Sequence, residues 1–298
     1  MPSKILSFIL CALPLTACMS VDGGAAAARR TVVINYEVKI EGAPEKFRLV
    51  ALLPQTRAGR QTVHSLQVQP DARLFAANGN RYAEWTLAPE KNAKFTLAIM
   101  ADVTLYPVDL TTVAANPPPA DNTPAEYLID EPKIEAGAAE IRDFARRVLG
   151  EEDGDPLAMA EELLTAMLKT LRYGGFATDD AGALATLRSR SGDCTDFADL
   201  YAALCRAAKI PARHVSGVLT EWEQVPAHSW VEIYVPPRWL PIDPLHTKLG
   251  KVKFGQMAPR YLALSTTRND PTLNGGMLYR WEVEGGAGAK VRQVVARE

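Results

Sequence analysis

Ser191-Gly192-Asp193-Cys194-Thr195-Asp196-Phe197-Ala198 sets a thiol at the point where the chain turns into a helix. Gly192 permits a tight turn and Asp193 is a capping type, so Cys194 falls at the first helical position. There the unpaired backbone N–H groups and the helix dipole favour a thiolate over a thiol, and the same groups are placed to receive an oxyanion. Downstream, Phe197, Leu200, Tyr201, Leu204 and Ala208 recur at three- and four-residue steps, which predicts one helix over 194–208. Cys205 lies on that helix, about 16 Å along the axis from Cys194, whereas a disulfide needs Cα atoms about 4.4–6.8 Å apart. The two cannot bridge, and Cys205 reads as a small buried apolar residue.

A thiol nucleophile needs a base, and the base needs an orienting group. Ala227-His228-Ser229-Trp230-Val231-Glu232-Ile233-Tyr234-Val235 reads as a strand headed by histidine. Pro236-Pro237 breaks it, and Arg238-Trp239-Leu240-Pro241-Ile242-Asp243-Pro244 returns. With a two-residue turn, Val235 opposes Arg238 and paired residue numbers sum to 473. Asp243 then opposes Trp230, whose side chain shares a face with His228. His228 and Asp243 become diagonal neighbours at about 7–8 Å, close enough for their side chains to meet. A bulge would change the face. Taken singly, His228 is a strand residue and Asp243 a turn residue before proline; with Cys194 they form an ordered Cys, His, Asp set.

Four blocks now stand in order: Gly192-Asp193-Cys194-Thr195-Asp196-Phe197-Ala198, Ile210-Pro211-Ala212-Arg213-His214-Val215-Ser216-Gly217, Ala227-His228-Ser229-Trp230-Val231-Glu232 and Trp239-Leu240-Pro241-Ile242-Asp243-Pro244. They resemble the successive blocks of the transglutaminase-like superfamily, over roughly residues 140–275 with a closing Arg268-Asn269-Asp270-Pro271-Thr272. The resemblance implies a papain-like triad, with Cys194 as nucleophile, His228 as base and acid, and Asp243 as orienter. It also implies an upstream aromatic at the oxyanion site, for which Tyr173 is the candidate, and in several members a β-rich N-terminal domain. The reaction implied is acyl transfer from a glutamine-like or peptide amide, through a Cys194 thioester, to water or an amine. The alternative is a catalytically idle envelope-binding or scaffold module that retains the fold; the intact set of three argues against it.

The other candidates read as structural. His64 and His246 sit in loop-like or strand-edge sequence, and His214 follows Arg213 on a strand, where Arg213 supports the fold. Trp230 and Trp239 read as core, and Asp196 as a solvated first-turn acid.

The remaining chain sets the fold class as α+β, a β-sandwich followed by a transglutaminase-like, papain-like core. Over 29–109 the period is two: Val32, Ile34, Tyr36, Val38 and Ile40 alternate with polar neighbours. Residues 47–53 and 95–103 are further strands, and Asn78-Gly79-Asn80 is a turn between two more. Residues 110–135, with Pro117-Pro118-Pro119 and Pro124, read as an extended and stiff linker. The catalytic domain then runs 136–298, ending in strands. It opens with the apolar stripe Ile141, Phe144, Ala145, Val148 and Leu149, stopped by Gly150, and with a second helix that Asp155-Pro156 starts.

The N-terminus reads as an export segment. Lys4 precedes an apolar run, Ile5 to Leu15, about 16 Å long as a helix and half a bilayer core, so residues 1–17 form a signal peptide rather than a span. Leu15-Thr16-Ala17-Cys18 resembles a lipobox, which implies lipidation at Cys18, a tether over 18–28, and the periplasmic face of an outer membrane; the alternative is an ordinary secretory signal cut near Ala25 to Ala28. Composition narrows the partners. A formal charge of −2 gives no basic excess, which argues against nucleic acid. Four histidines and four cysteines without Cys-x-x-Cys or His-Glu-x-x-His predict no metal site, and no phosphate-cradling glycine run predicts any other cofactor. The expected partners are a protein or peptide substrate and, through the lipid, a membrane.

Overall fold

The computed structural model describes residues 26–110, 125–150, 154–177, 180–221 and 227–297. Seven strands come first: β1 (Ala28–Glu41), β2 (Lys46–Leu52), β3 (Gln61–Gln69), β4 (Arg73–Ala77), β5 (Asn80–Leu87), β6 (Lys94–Leu105) and the short β7 (Val108–Asp109). A 3-10 turn at Ala125–Leu128 leads to α1 (Ala139–Leu149), α2 (Pro156–Thr170), β8 (Arg172–Tyr173), α3 (Ala183–Ser189), β9 (Ser191–Gly192) and α4 (Cys194–Ala207). After them come β10 (Ala212–Leu219), β11 (Ala227–Val235), β12 (Arg238–Ile242), α5 (Pro244–Lys248), β13 (Gln256–Met257), β14 (Tyr261–Ser265), β15 (Tyr279–Glu284) and β16 (Gly288–Arg297). The signal peptide, Cys18 and most of the tether lie outside the described residues; β1 begins within the tether's expected bounds, at Ala28.

Two antiparallel four-stranded sheets, β16-β1-β6-β3 and β15-β2-β5-β4, close over one core. The alternation along β1 does what its period requires: Val32, Ile34, Tyr36, Val38 and Ile40 are all buried, packed with Phe47, Trp85 and Leu97. The sandwich is not closed by the N-terminal segment, however. Strands β15 and β16, expected as the tail of the catalytic domain, pair instead with β2 and β1, Trp281 opposite Leu49 and Val295 opposite Ile34. The reason is that β1 is apolar along its whole buried face and needs a neighbour on each side, whereas a period-two pattern reports a face and never a partner.

The linker also departs from expectation. Residues 111–124, with Pro117-Pro118-Pro119 and Pro124, lie outside the described residues, but 125–135 are folded rather than extended. Ile134 is fully buried, Glu131 and Ile134 form a bridge, and the buried Arg206 of α4 donates to the Ile129 carbonyl at 2.8 Å and the Glu131 carboxylate at 2.7 Å. A buried guanidinium must find acceptors, and this segment supplies them.

Helix α4 is the axis of the second core. Every residue from Thr195 to Arg206 is buried, with α1, α2 and α3 packed around it and the sheet β12-β11-β10-β14 against it. The sequence marks a single apolar stripe, but the helix is enclosed all round, and alanines at 198, 202, 203 and 207 let the neighbours approach. The β11–β12 hairpin has the expected two-residue turn and register, Val235 opposite Arg238 and Val231 opposite Ile242. Two buried polar residues join the sandwich to this unit. Gln61 exchanges two hydrogen bonds of 2.8 Å with the Ala263 backbone, and Asp270 accepts from Asn80 at 2.9 Å and from the Tyr82 hydroxyl.

The return of the C-terminus gives a direct test. A chain stopped at Glu284 removes β16, exposing one edge of β1 and uncovering Val32, Ile34 and Tyr36. We expect thermal unfolding to shift down by ten degrees or more or to lose its single transition, because the loss rivals the roughly 5–15 kcal/mol that holds a domain. A truncated protein that unfolds at the wild-type temperature would overturn this assignment of β16.

Candidate active site

The thiol enters from the helix start. Asp193 is the N-cap of α4, its carboxylate accepting from Thr195 N–H at 2.9 Å, Asp196 N–H at 3.3 Å and Ala177 N–H at 3.2 Å. Asp196 returns the bond to the Asp193 N–H at 3.1 Å, completing a capping box, and takes the Ala181 N–H at 2.9 Å. Asp196 is therefore buried rather than solvated, and burial holds its carboxyl above the usual range. Gly192 serves closeness more than turning: it pairs with Tyr173 in a short parallel ladder, and a Cβ there would lie 2.5 Å from the Asp196 Cβ. The box consumes the N–H groups of Thr195 and Asp196, so the backbone donor remaining beside the thiol is that of Cys194 itself.

The histidine arrives from the sheet. Strand β11 presents His228 at its head and β12 ends at Ile242, so Asp243 stands on the neighbouring strand's exit. His228 Nε2 and Asp243 Oδ2 are 2.7 Å apart with both side chains buried. The nitrogen facing Asp243 is Nε2, which leaves Nδ1 toward the cleft that His228 shares with Cys194. Burial alone would push the His228 pKa down; the Asp243 carboxylate and the Cys194 sulfur more than offset it and raise it to about 10. Burial likewise pushes Asp243 up, but His228 and His246 hold its carboxyl far below the usual range. The three expected triad residues are thus brought together.

Two further residues complete the support of Asp243, and sequence reading passed over both. His246, read as structural, is buried and stacks on His228 with ring centres 4.5 Å apart. Its backbone N–H donates to Asp243 Oδ1 at 2.9 Å, as expected three residues after a capping aspartate, and Nδ1 lies 2.9 Å from Asp243 Oδ2. The Tyr261 hydroxyl donates to the same Oδ2 at 2.8 Å. Since that hydroxyl has one proton, the 2.8 Å contact between Tyr261 and His246 Nδ1 requires Nδ1 to carry the hydrogen. Burial and the neighbouring imidazolium of His228 lower the His246 pKa, against the opposing Asp243 charge, so His246 is a neutral donor. Its signal was the Asp-Pro-x-His spacing; Tyr261 had none, being fifteen residues on in another strand.

A cleft of about 280 Å³ opens over Cys194 and His228. Phe176 and Asp180 line one side; Met277, Tyr279 and Gln293, from the C-terminal strands and the loop before them, line another. Tyr173 does not reach it. Its main chain lies beside Gly192, but the ring is 47% exposed and outside the cleft lining. The residue that does project an exposed aromatic at the rim is Phe176.

The other sequence candidates separate from the thiol. His214 is buried against Asp199 at 2.8 Å, and His64 bonds Thr104 on the sandwich. Trp230 is core beside His228, and Arg213 pairs with Glu232 at 2.8 Å. Cys205 is fully buried, its thiol pushed up to about 12, and both cysteines are free. Among the described residues, His228, Asp243 and His246 could in principle converge on a cation, their ligand atoms lying within 4.8 Å of one another. Asp243 Oδ2 already meets His228 Nε2, His246 Nδ1 and the Tyr261 hydroxyl, so that oxygen is occupied by donors. No helix among the described residues is long and apolar enough to cross a membrane.

Comparison with known proteins bears on the fold. Residues 142–244 match the model of the transglutaminase-like superfamily. An uncharacterized protein of Haemophilus influenzae is 32% identical over 97 residues, which is 31% of this chain and 26% of that one. Among solved structures, a "Putative Cysteine Protease" from Cytophaga hutchinsonii superposes with a TM-score of 0.62 over 91% of this chain and 92% of its own, at 18% identity, a likeness of fold. The periplasmic domain of TgpA from Pseudomonas aeruginosa aligns at 21% identity over 75% of this chain and 91% of its own, with a TM-score of 0.37. Residues 142–244 are therefore a transglutaminase-like domain, set in a fold shared with the Cytophaga protein.

Proposed function

We propose that this chain is an exported thiol enzyme that cleaves or transfers the acyl group of a glutamine-like or peptide amide. The observation that carries the reading is the half-buried Cys194 sharing a cleft with the buried pair His228 and Asp243, which are bonded at 2.7 Å. The Cys194 sulfur attacks the amide carbonyl, and the oxyanion is met by the Cys194 N–H at the helix start. His228, charged at neutral pH, passes the Nδ1 proton to the departing amine as the C–N bond breaks, leaving a Cys194 thioester. Neutral His228 then takes a proton from the water or amine that attacks the thioester; the C–S bond breaks, the acid or new amide leaves, and the Cys194 sulfur is released as thiolate beside the reprotonated His228. Hydrolysis is favoured over cross-linking, because transfer to an amine requires a site that excludes water, and this cleft opens to solvent. His246 and Tyr261 are positioning residues that keep Asp243 ionised.

The thiols of one helix provide the test. Alkylation rate against pH, read peptide by peptide, should show Cys194 still reacting in mild acid, where a free thiol is slow, and Cys205 inert. His228→Ala should abolish the low-pH reactivity of Cys194. Both thiols reacting together, or no effect of the substitution, would favour the catalytically idle module.

Folding stability should carry the same ion pair. The His228 pKa is raised on folding, so its contribution is fully present below about 6.5, the unfolded value. It is lost as pH rises through the folded value of about 10. The stability difference between wild type and His228→Ala, measured by denaturant titration, should therefore be flat in acid and shrink between those two pH values. A difference that grows with pH contradicts the assignment.

The lipobox-like Leu15-Thr16-Ala17-Cys18 supports membrane attachment by a lipid on Cys18. Cells fed labelled palmitate should yield labelled wild type in the membrane fraction and unlabelled Cys18→Ala. A soluble mature chain starting after Ala28 would exclude the anchor.

A further inference from the structure

A second cavity, of about 370 Å³, is built largely of arginine. Arg57 and Arg60 come from the loop before β3, Arg213 from β10 and Arg238 from the start of β12, so both halves of the chain contribute. Glu232 is the single acid among the lining residues, which leaves a formal 4 − 1 = +3. That carboxylate is buried and already taken. Arg213 holds it at 2.8 Å and Arg60 lies 3.5 Å away. Arg213 also lies over the Trp239 ring, 4.0 Å from its centre, which keeps the guanidinium plane fixed.

Apart from Glu232, the donors of Arg57 and Arg60 meet backbone carbonyls or, at Arg57 Nε, no hydrogen-bond acceptor. Arg57 Nη2 donates to the Leu264 carbonyl at 3.3 Å, while its Nε is buried with no hydrogen-bond partner. Arg60 donates to the carbonyls of Gly59 and Trp239. Arg238 has no ion-pair partner among the described residues. Carbonyls satisfy N–H geometry but bring no countercharge. Burial depresses the pKa of both Arg57 and Arg60, Glu232 opposing it and Arg213 adding to it; Arg238 adds further at Arg60. Like charges gathered in a partly enclosed cavity repel one another, and an anion of matching size relieves that.

The cavity stands apart from the thiol. Glu232 follows His228 by four residues on the same face of β11, about 13 Å at the strand rise, with Trp230 between them. No residue lines both cavities.

We propose that this arginine cavity binds a compact oxyanion of at least two negative charges, a phosphate or a small polycarboxylate. Guanidinium forks grip both groups in the same bidentate way, and the volume falls in the range of small-ligand sites.

Titration calorimetry on the full chain, at ionic strength held constant with sodium chloride, uses inorganic phosphate in one arm and citrate in the other. One-to-one binding of either is expected, weakening as sodium chloride is raised. Preference for phosphate assigns a tetrahedral ligand, and preference for citrate assigns a carboxylate one. Arg57→Gln and Arg238→Gln should each weaken binding by about tenfold or more, with Cys194 alkylation unchanged as the check on folding. Arg238 gives up no ion pair, so its variant decides the matter should Arg57→Gln unfold. Absence of saturable binding by both anions, or equal binding by wild type and the folded variants, overturns the proposal.

Discussion

A carboxylate buried away from water, yet kept ionised, is the constraint on which the second half of this molecule turns. Asp243 achieves it by collecting donors from three elements: His228 on β11, the backbone and ring of His246 on α5, and the hydroxyl of Tyr261 on β14. Desolvation of a lone carboxylate would simply protonate it. With these partners the proton goes to His228 instead, and the imidazolium becomes the group that faces sulfur. The sheet order β12-β11-β10-β14 is what makes the set possible, since β14 reaches the same end of the sheet from the far side of β10.

The sandwich participates more deeply than a separate accessory domain would. Its core residues continue onto Val218, Leu262 and Leu264 of the catalytic sheet, and its C-terminal strands deliver Tyr279 and Gln293 to the cleft wall. The loop between β14 and β15 serves both units. Arg268 grips Asp199 of α4 and Asp180 at the cleft rim, at 2.9 Å and 2.7 Å. Two residues on, Asp270 receives Asn80 and Tyr82 from the sandwich. Each buried charge in this loop has its counterpart in a different part of the chain, so loss of one partner would strand the other at a cost of several kcal/mol.

What could be read from the sequence follows from what local patterns encode. The cap at Asp193, the helix behind Cys194, the proline turn and the register that sets His228 beside Asp243 all depend on neighbours a few residues apart, and all were legible. The likeness of four ordered blocks to a known superfamily supplied the roles. Partners distant in sequence were not legible. Nothing in β16 marks it as a neighbour of β1, some 260 residues earlier, and Tyr261 carries no sign that its hydroxyl meets Asp243. Asp196 was misplaced for a related reason: its helix position suggested solvent, whereas the loop carrying Ala181 folds over it. Tyr173 was placed near Gly192 in backbone but not in side chain, because a two-residue strand fixes the first and leaves the second to solvent.

Asp193 and Asp196 set two buried acids at the helix start that carries Cys194. In a medium of effective dielectric near 20, an imidazolium in contact with a thiolate at about 4 Å favours it by about 4 kcal/mol, and a carboxylate at about 8 Å opposes it by about 2 kcal/mol. Two such acids would cancel the ion pair if their charges were bare. They are not bare: Asp193 accepts three backbone N–H groups and Asp196 two, each dipole directing positive charge at the carboxylate it binds. Asp196, with its carboxyl raised by burial, also yields its charge more readily than a solvated acid. The cap therefore fixes the helix start while its own charges are turned toward the backbone, and His228, which shares the cleft with Cys194, is the positive group set against them.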